Sequence, residues 1–232
     1  MFQNKYHKAV TFSFDDGVTQ DRRLIKLFEK YGLKCTFNLN SGSLDKGGEI
    51  HYNGFYATHV KVNSSEVKEL YKNHEVAVHT VNHPDLTKVN DENTIISEIE
   101  EDRRALESIV GYKIVGMAYP FGTVDERIIN IIKKNTPILY SRNIYATYNF
   151  DLQKELIDFR PTVHCLDFDN LFKLAEEFIN ADFKEDKIFY IWGHAYEFDF
   201  EDTREKFEQF LKLISGHDDI FYGTNKEVLL NE

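Results

Sequence analysis

The chain has 232 residues, of which 42% are hydrophobic, and it carries 28 basic and 39 acidic side chains for a net charge of −11. This length suits one α/β domain or two small ones, and without a linker-like segment we expect a single domain over residues 1–232. The acidic balance argues against nucleic acid or an anionic membrane as a partner, and no apolar stretch is long enough to span a bilayer.

The N-terminus and the cysteines bear on the cellular compartment. Residues 1–8 are too polar for a signal peptide and run directly into the first predicted strand, so we expect an intracellular, cytoplasmic protein. Cys35 lies in an apolar, strand-like run far from Cys165, which predicts a buried thiol and argues against a disulfide framework.

Hydrophobic periodicity predicts strands that alternate with helices along the chain. The predicted strands cover residues 9–14, 34–40, 75–78, 114–119, 138–142, 158–161, 187–192 and 220–222. The predicted helices lie between Gly17 and Gly32, after Ser64, at 93–110, after Asp125, at 170–181, at 203–214 and at the C-terminus. Residues 41–62 are predicted to form a long loop with room for a short hairpin. This alternation gives βαβ units and a parallel sheet, and seven or eight units favour a closed or nearly closed barrel.

The first strand ends in two adjacent carboxylates and a glycine: Asp15, Asp16 and Gly17. Neighbouring side chains of a strand point to opposite faces, so this pair belongs neither to the core alone nor to the surface alone. Gly17 allows the chain to turn so that both acids face one cleft, where a cation or a proton would relieve their repulsion. A solvated Asp-Asp-Gly turn is the alternative.

Histidines follow two other predicted strands. His79 and His83 share one face if the intervening residues form a helical turn, which Pro84 should end. Two imidazoles and a carboxylate suit an open divalent-metal site of the zinc type, and cobalt, manganese and nickel accept the same ligands. His194 is the natural general acid, because the unperturbed pKa of histidine lies near neutral. A buried core histidine is the alternative for His194.

Four motifs occur in order: Thr-Phe-Ser-Phe-Asp-Asp-Gly at 11–17, His-Thr-x-x-His at 79–83, Tyr-Pro-Phe-Gly at 119–122 and Trp-Gly-His at 192–194. Together they resemble the polysaccharide deacetylase family, the NodB-homology domains of carbohydrate esterase family 4. The resemblance implies a distorted (β/α) barrel with about seven parallel strands. It also implies a role for each matching residue: Asp15 as general base, Asp16, His79 and His83 as metal ligands, the backbone N–H of Phe121 as an oxyanion donor, and His194 as general acid.

The sequence departs from the family pattern in two respects. Ala118 stands where many members have an arginine that orients the catalytic aspartate, and the usual downstream Asp-Trp motif is not evident. Arg142 ends a predicted strand and is the first candidate to supply the missing guanidinium, with Arg160 the second. Candidate sugar-contacting residues, each with a plain structural alternative, are Tyr119, Trp192 and His164.

The resemblance implies a metal-dependent hydrolase that removes N-acetyl groups from an N-acetylglucosamine-containing saccharide, such as a chito-oligosaccharide or a peptidoglycan fragment. Two alternatives stay open: hydrolysis of a non-sugar amide by the same site, and saccharide binding without turnover. Relatives that act on small nitrogenous molecules often lose part of the metal triad, which is complete here. A decayed site should first lose its base or its acid, whereas Asp15 and His194 are both present.

Overall fold

A computed structural model describes residues 1–52, 54–200 and 202–231. The strands are β1 (Lys8–Asp15), β2 (Thr36–Leu39), β3 (Glu49–Tyr52), β4 (Phe55–Thr58), β5 (Glu75–Val78), β6 (Gly116–Ala118), β7 (Tyr140–Arg142), β8 (Val163–His164), β9 (Lys187–His194) and β10 (Ile220–Tyr222). The helices are α1 (Asp21–Lys30), α2 (Val67–Leu70), α3 (Glu92–Val110), α4 (Glu126–Asn135), α5 (Phe168–Asn180), α6 (Thr203–Ile214) and α7 (Asn225–Leu229). Among these described helices, none is both long and apolar enough to cross a membrane.

Eight strands form one parallel sheet in the order β7-β6-β5-β2-β1-β9-β8, with β10 beside the first residues of β1. The two ends of this order are joined by residues 156–162. The N–H of Phe159 donates to the carbonyl of Ser141 on β7 (2.9 Å), and the N–H of Thr162 donates to the carbonyl of Tyr190 on β9 (2.9 Å). The sheet therefore curls into a distorted barrel, and the predicted fold class is confirmed.

The central strand β1 is buried along its whole length, and its two faces contact different surroundings. Phe12 and Phe14 pack against aromatic side chains of the surrounding segments, with ring centroids 4.9 to 6.5 Å apart. Thr11 and Ser13 point the other way and make hydrogen bonds to side chains across the barrel interior. Because side chains alternate along a strand, Asp15 continues this polar row at the carboxyl end.

Two local predictions are wrong. Residues 158–161 carry an isolated bridge between Phe159 and Arg142, and strand β8 begins later, at Val163; Pro161 lacks the N–H that a ladder needs. Residues 79–83 bend where a helical turn was predicted, because Thr80 and His83 have φ angles of 65° and 57°. The hairpin allowed within 41–62 is present as the antiparallel pair β3 and β4. Both cysteines are free and Cys35 is buried, as expected, and Cys165 is buried as well.

Candidate active site

The carboxyl ends of the strands open into a cavity of about 720 Å³, here called the cleft. β1 delivers Asp15 and β9 delivers His194, and these two residues are register partners on adjacent strands. The segment after β5 delivers His79 and His83, and the turn after β6 delivers Phe121; all of them line the cleft. The barrel thus gathers residues from distant parts of the chain on one rim.

Asp16, His79 and His83 bring three potential ligand atoms within 4.8 Å of one another. Oδ1 of Asp16 lies 3.9 Å from Nε2 of His79 and 3.8 Å from Nε2 of His83. Nδ1 of His79 lies 2.8 Å from the carbonyl oxygen of Ala118, so Nδ1 carries the proton and Nε2 presents its lone pair to Asp16. Burial lowers the pKa of both imidazoles, that of His83 to about 4, so both are neutral at pH 7. The donor set and its protonation state fit a divalent cation of the zinc type.

The backbone is strained in the two segments that carry these ligands. Asp16, Thr80 and His83 have φ angles of 82°, 65° and 57°, a region that costs residues with a side chain about 1 kcal/mol or more. The N–H of His83 donates to Oγ1 of Thr80 (3.1 Å), and Oδ2 of Asp102 on α3 accepts from the N–H of His79 (3.0 Å). Tertiary contacts therefore hold the two imidazoles together without a helical turn.

Asp15 is 3% exposed, and its carboxylate contacts the guanidinium of Arg142, with Nη2 2.6 Å from Oδ1. Nδ2 of Asn38 donates a further hydrogen bond to Oδ1 (2.8 Å), and the guanidinium carbon of Arg142 lies 4.7 Å from the ring centroid of Trp192. Burial opposes ionisation of Asp15, but Arg142 and the nearby imidazoles outweigh it and lower the pKa of this carboxyl. Asp15 is therefore ionised at neutral pH. Arg160, the other candidate, is exposed at the surface.

Glu197, which sequence reasoning missed, forms the environment of His194. Oε1 of Glu197 lies 3.3 Å from Nδ1 of His194 and 3.3 Å from Nε2 of His164, and Oε2 accepts from the backbone N–H of His194 (2.9 Å). Burial disfavours the charged imidazole, but Glu197 and then the two aspartates outweigh burial and raise the pKa of His194 to about 9. His194 is therefore protonated at pH 7. The only local signal was the spacing of Glu197 three residues after the histidine.

The aromatic candidates occupy different positions. Tyr119 and Trp192 line the cleft but are 1% and 8% exposed, and the Tyr119 hydroxyl donates to the carbonyl of Ile157 (2.6 Å). Phe121 is 58% exposed, and its ring centroid lies 4.7 Å from that of His83. Phe121 is thus the cleft aromatic with the most free surface. His164 packs behind Trp192, at 4.5 Å between centroids, and is not among the described residues that line the cleft.

Residues 46–52 and 54–61, here called the arm, include the β3–β4 hairpin, and residues 46–50, 59 and 61 form one wall of the cleft. Sequence reasoning assigned no residue of the arm to the site. His59 and Lys61 nevertheless both contact Asp16. Finding them from sequence would have required knowing how the long loop folds back over the end of β1.

Comparisons with known proteins identify a family and a fold. A family model described as polysaccharide deacetylase matches residues 3–136. No curated protein sequence is a significant match. Similar solved structures include a Mycobacterium smegmatis protein assigned to the polysaccharide deacetylases, with 14% identity, coverage of 97% of this chain and 90% of that one, and a TM-score of 0.70.

Two further structures show the same fold. A family 4 carbohydrate esterase from Streptomyces lividans, solved with acetate, has 15% identity, coverage of 94% of this chain and 93% of that one, and a TM-score of 0.58. A polysaccharide deacetylase from Bacillus cereus has 21% identity and a TM-score of 0.51 over 64% of this chain. The chain spans 44% of the length of that Bacillus protein.

Proposed function

The chain belongs to the polysaccharide deacetylase family, and on this basis we propose that it is a metal-dependent hydrolase that removes N-acetyl groups from an N-acetylglucosamine-containing saccharide and releases acetate. One observation carries the proposal: an ionised carboxylate, a protonated imidazole and a three-ligand set of the zinc type face the same cleft. Amide hydrolysis needs a base for water, an acid for the leaving nitrogen and stabilisation of the carbonyl oxygen.

Each of these tasks has a residue in the cleft. Asp16, His79 and His83 would hold the cation, which when bound polarises the acetyl carbonyl and lowers the pKa of water. Asp15 accepts the proton of the attacking water, and Arg142 keeps this base ionised and oriented.

The acid comes from β9, beside Asp15, and the oxyanion donor comes from the turn after β6. His194 gives its proton from Nε2 to the departing nitrogen, since Nδ1 faces Glu197. The backbone N–H of Phe121, at a left-handed turn with φ 58°, stabilises the oxyanion. The exposed ring of Phe121 offers an apolar face for a sugar.

A cavity of about 720 Å³ lies in the range of small-ligand sites, about 300–1,000 Å³, which favours a short saccharide as substrate. The experiment is an acetate-release assay on a graded panel: N-acetylglucosamine, chito-oligosaccharides, peptidoglycan fragments and small non-sugar amides. Protein stripped of metal with a chelator is tested before and after zinc, cobalt, manganese or nickel is added back.

We expect chelator-sensitive acetate release from an acetylated saccharide, restored by at least one of these metals. Hydrolysis of the small amides alone would replace the proposal with the non-sugar alternative. Saccharide binding at full metal occupancy without release of acetate would replace it with a binding domain.

A further inference from the structure

We propose that His59 is a positioning residue of the metal site, which fixes the orientation of the Asp16 carboxylate. The inference rests on one part of the proposed function, the binding of a divalent cation by Asp16, His79 and His83. It does not require that the protein release acetate.

The two oxygens of Asp16 face in different directions. Oδ1 faces Nε2 of His79 and Nε2 of His83 at 3.9 and 3.8 Å, whereas Oδ2 lies 3.0 Å from Nε2 of His59. Asp16 is only 7% exposed, so water can hardly replace His59 as the hydrogen-bond partner of Oδ2. A carboxylate held in this way cannot rotate about its Cβ–Cγ bond without breaking the hydrogen bond to His59. Oδ1 is thereby aimed at the space between the imidazoles before a cation arrives.

Lys61, two residues further along the arm, holds the backbone of the same aspartate. Its Nζ donates to the carbonyl oxygen of Asp16 (2.7 Å) and lies 3.5 Å from Oδ1. Asp16 has a φ angle of 82°, a conformation that persists in a residue with a side chain only when its surroundings enforce it. His59 therefore fixes the carboxylate of Asp16, and Lys61 fixes its backbone.

The arm is itself tied to the segment that follows Asp16. The N–H of Thr19 donates to the carbonyl of Val60 (2.8 Å), and the N–H of Val62 donates to the carbonyl of Gly17 (2.9 Å). The ring of His59 also packs edge-on against Tyr196, with centroids 5.3 Å apart. Backbone hydrogen bonds at Val60 and Val62, just after His59, and a buried aromatic partner make its contact with Asp16 a fixed part of the site.

Outer partners of this kind orient a ligand atom, and their loss typically weakens metal affinity by about 10- to 100-fold. The matched set of variants is His59→Ala, His59→Gln and His51→Ala. The Gln amide N–H can donate to Oδ2 as the imidazole does, whereas Ala cannot. His51 lies on β3 of the same arm, is exposed and does not line the cleft within the described residues, so it controls for general effects on the arm.

The test measures the zinc dissociation constant of each full-length protein by competition with a chromophoric chelator, without substrate. We expect His59→Ala to bind zinc about 10- to 100-fold more weakly than the unmodified chain, and His59→Gln and His51→Ala to bind it nearly as tightly. Unchanged affinity in His59→Ala overturns the proposal. Equal weakening in His59→Gln and His59→Ala, accompanied by equal loss of thermal stability in the metal-free proteins, also overturns it and assigns His59 a structural role.

The visible spectrum of the cobalt-loaded proteins is a second readout, because it reports the geometry of the coordinating atoms. We expect an altered spectrum in His59→Ala and the unmodified spectrum in His59→Gln. These results are independent of turnover: a chain whose zinc affinity depends on His59 but that releases no acetate retains this inference and loses the proposed function. If the protein deacetylates a saccharide fully and His59→Ala binds zinc with unchanged affinity, the proposed function is retained and this inference is lost.

Discussion

Arg142 and Ala118 are register partners on neighbouring strands, so the guanidinium of Arg142 approaches Asp15 from the strand beside Ala118. The Arg142 side chain contacts Asp15, 127 positions away in the sequence, with Nη2 2.6 Å from Oδ1. The guanidinium is planar and permanently charged, so it both stabilises the ionised carboxylate and fixes its orientation.

Replacing Arg142 tests this arrangement. Arg142→Ala is expected to keep its metal and to lose roughly 10²-fold in kcat/KM, the lower end of what a positioned base contributes. The acidic limb of its pH–rate profile should move to higher pH, because Arg142 lowers the pKa of Asp15 and its removal lets the base protonate more easily. Arg142→Lys should restore the charge and part of the rate. Exposed Arg160→Ala serves as control; an unchanged rate and profile in Arg142→Ala would contradict the assignment.

The two adjacent aspartates should be separable. Asp16→Asn is expected to lower metal occupancy, since a neutral amide is a poorer ligand than a carboxylate. Asp15→Asn is expected to retain its metal while losing about 10²–10⁴ in rate, because it removes the proposed base. Metal content by elemental analysis, measured beside acetate release, checks both. Equal metal loss in the two variants would contradict the assignment of Asp16 as the ligand and Asp15 as the base.

Glu197 should set the alkaline limit of activity. Its carboxylate raises the pKa of His194 to about 9 against the effect of burial, so the acid stays protonated up to that pH. Glu197→Gln lowers the pKa of His194, and the alkaline limb of kcat/KM should therefore move to lower pH while metal content stays the same. Glu205→Gln, at an exposed glutamate, is the control. An unchanged pH–rate profile in Glu197→Gln would show that Glu197 does not set the pKa of His194.

The turn that carries Phe121 should tolerate no side chain at Gly122. Gly122 and Gly32 have similar φ angles, 67° and 65°, but a Cβ at Gly122 would lie 2.3 Å from Ile144, whereas a Cβ at Gly32 meets nothing within 4 Å. Both alanine variants lose about 1 kcal/mol to the left-handed backbone. Gly122→Ala should lose a further ~1–3 kcal/mol to overpacking, and some activity, as Phe121 shifts. Denaturant unfolding measures the difference, and equal free energies of unfolding would contradict it.

Much of the fold and part of the site could be read from local patterns. The strands that lead to Asp15, His79 and His194 are runs rich in β-forming residues that stop at charged or polar residues, and such stops are visible in a sequence. The bend between His79 and His83 was not predictable in this way. It depends on left-handed Thr80 and on Asp102, which comes from α3.

The residues that were missed share one property: their role is defined only by a tertiary contact. His59 lies in a segment without clear periodicity, and its contact with Asp16 depends on how the arm folds back over the end of β1. Glu197 follows the last motif, in a 3-10 turn that directs its carboxylate back to His194. Sequence spacing alone does not reveal that His59 contacts Asp16 or that Glu197 contacts His194.

The pairing of β1 with β9 along their full lengths has a consequence for the order in which the site residues come together during folding. Asp15, Asp16, His79 and His83 all lie in the first part of the sequence, whereas His194 reaches Asp15 only after the last long strand has docked. Contacts between distant parts of a chain are slow to form, because loop closure must precede them. The three candidate metal ligands can therefore come together in a refolding chain before the candidate acid reaches the candidate base, so we expect metal uptake to report an early event and turnover the last.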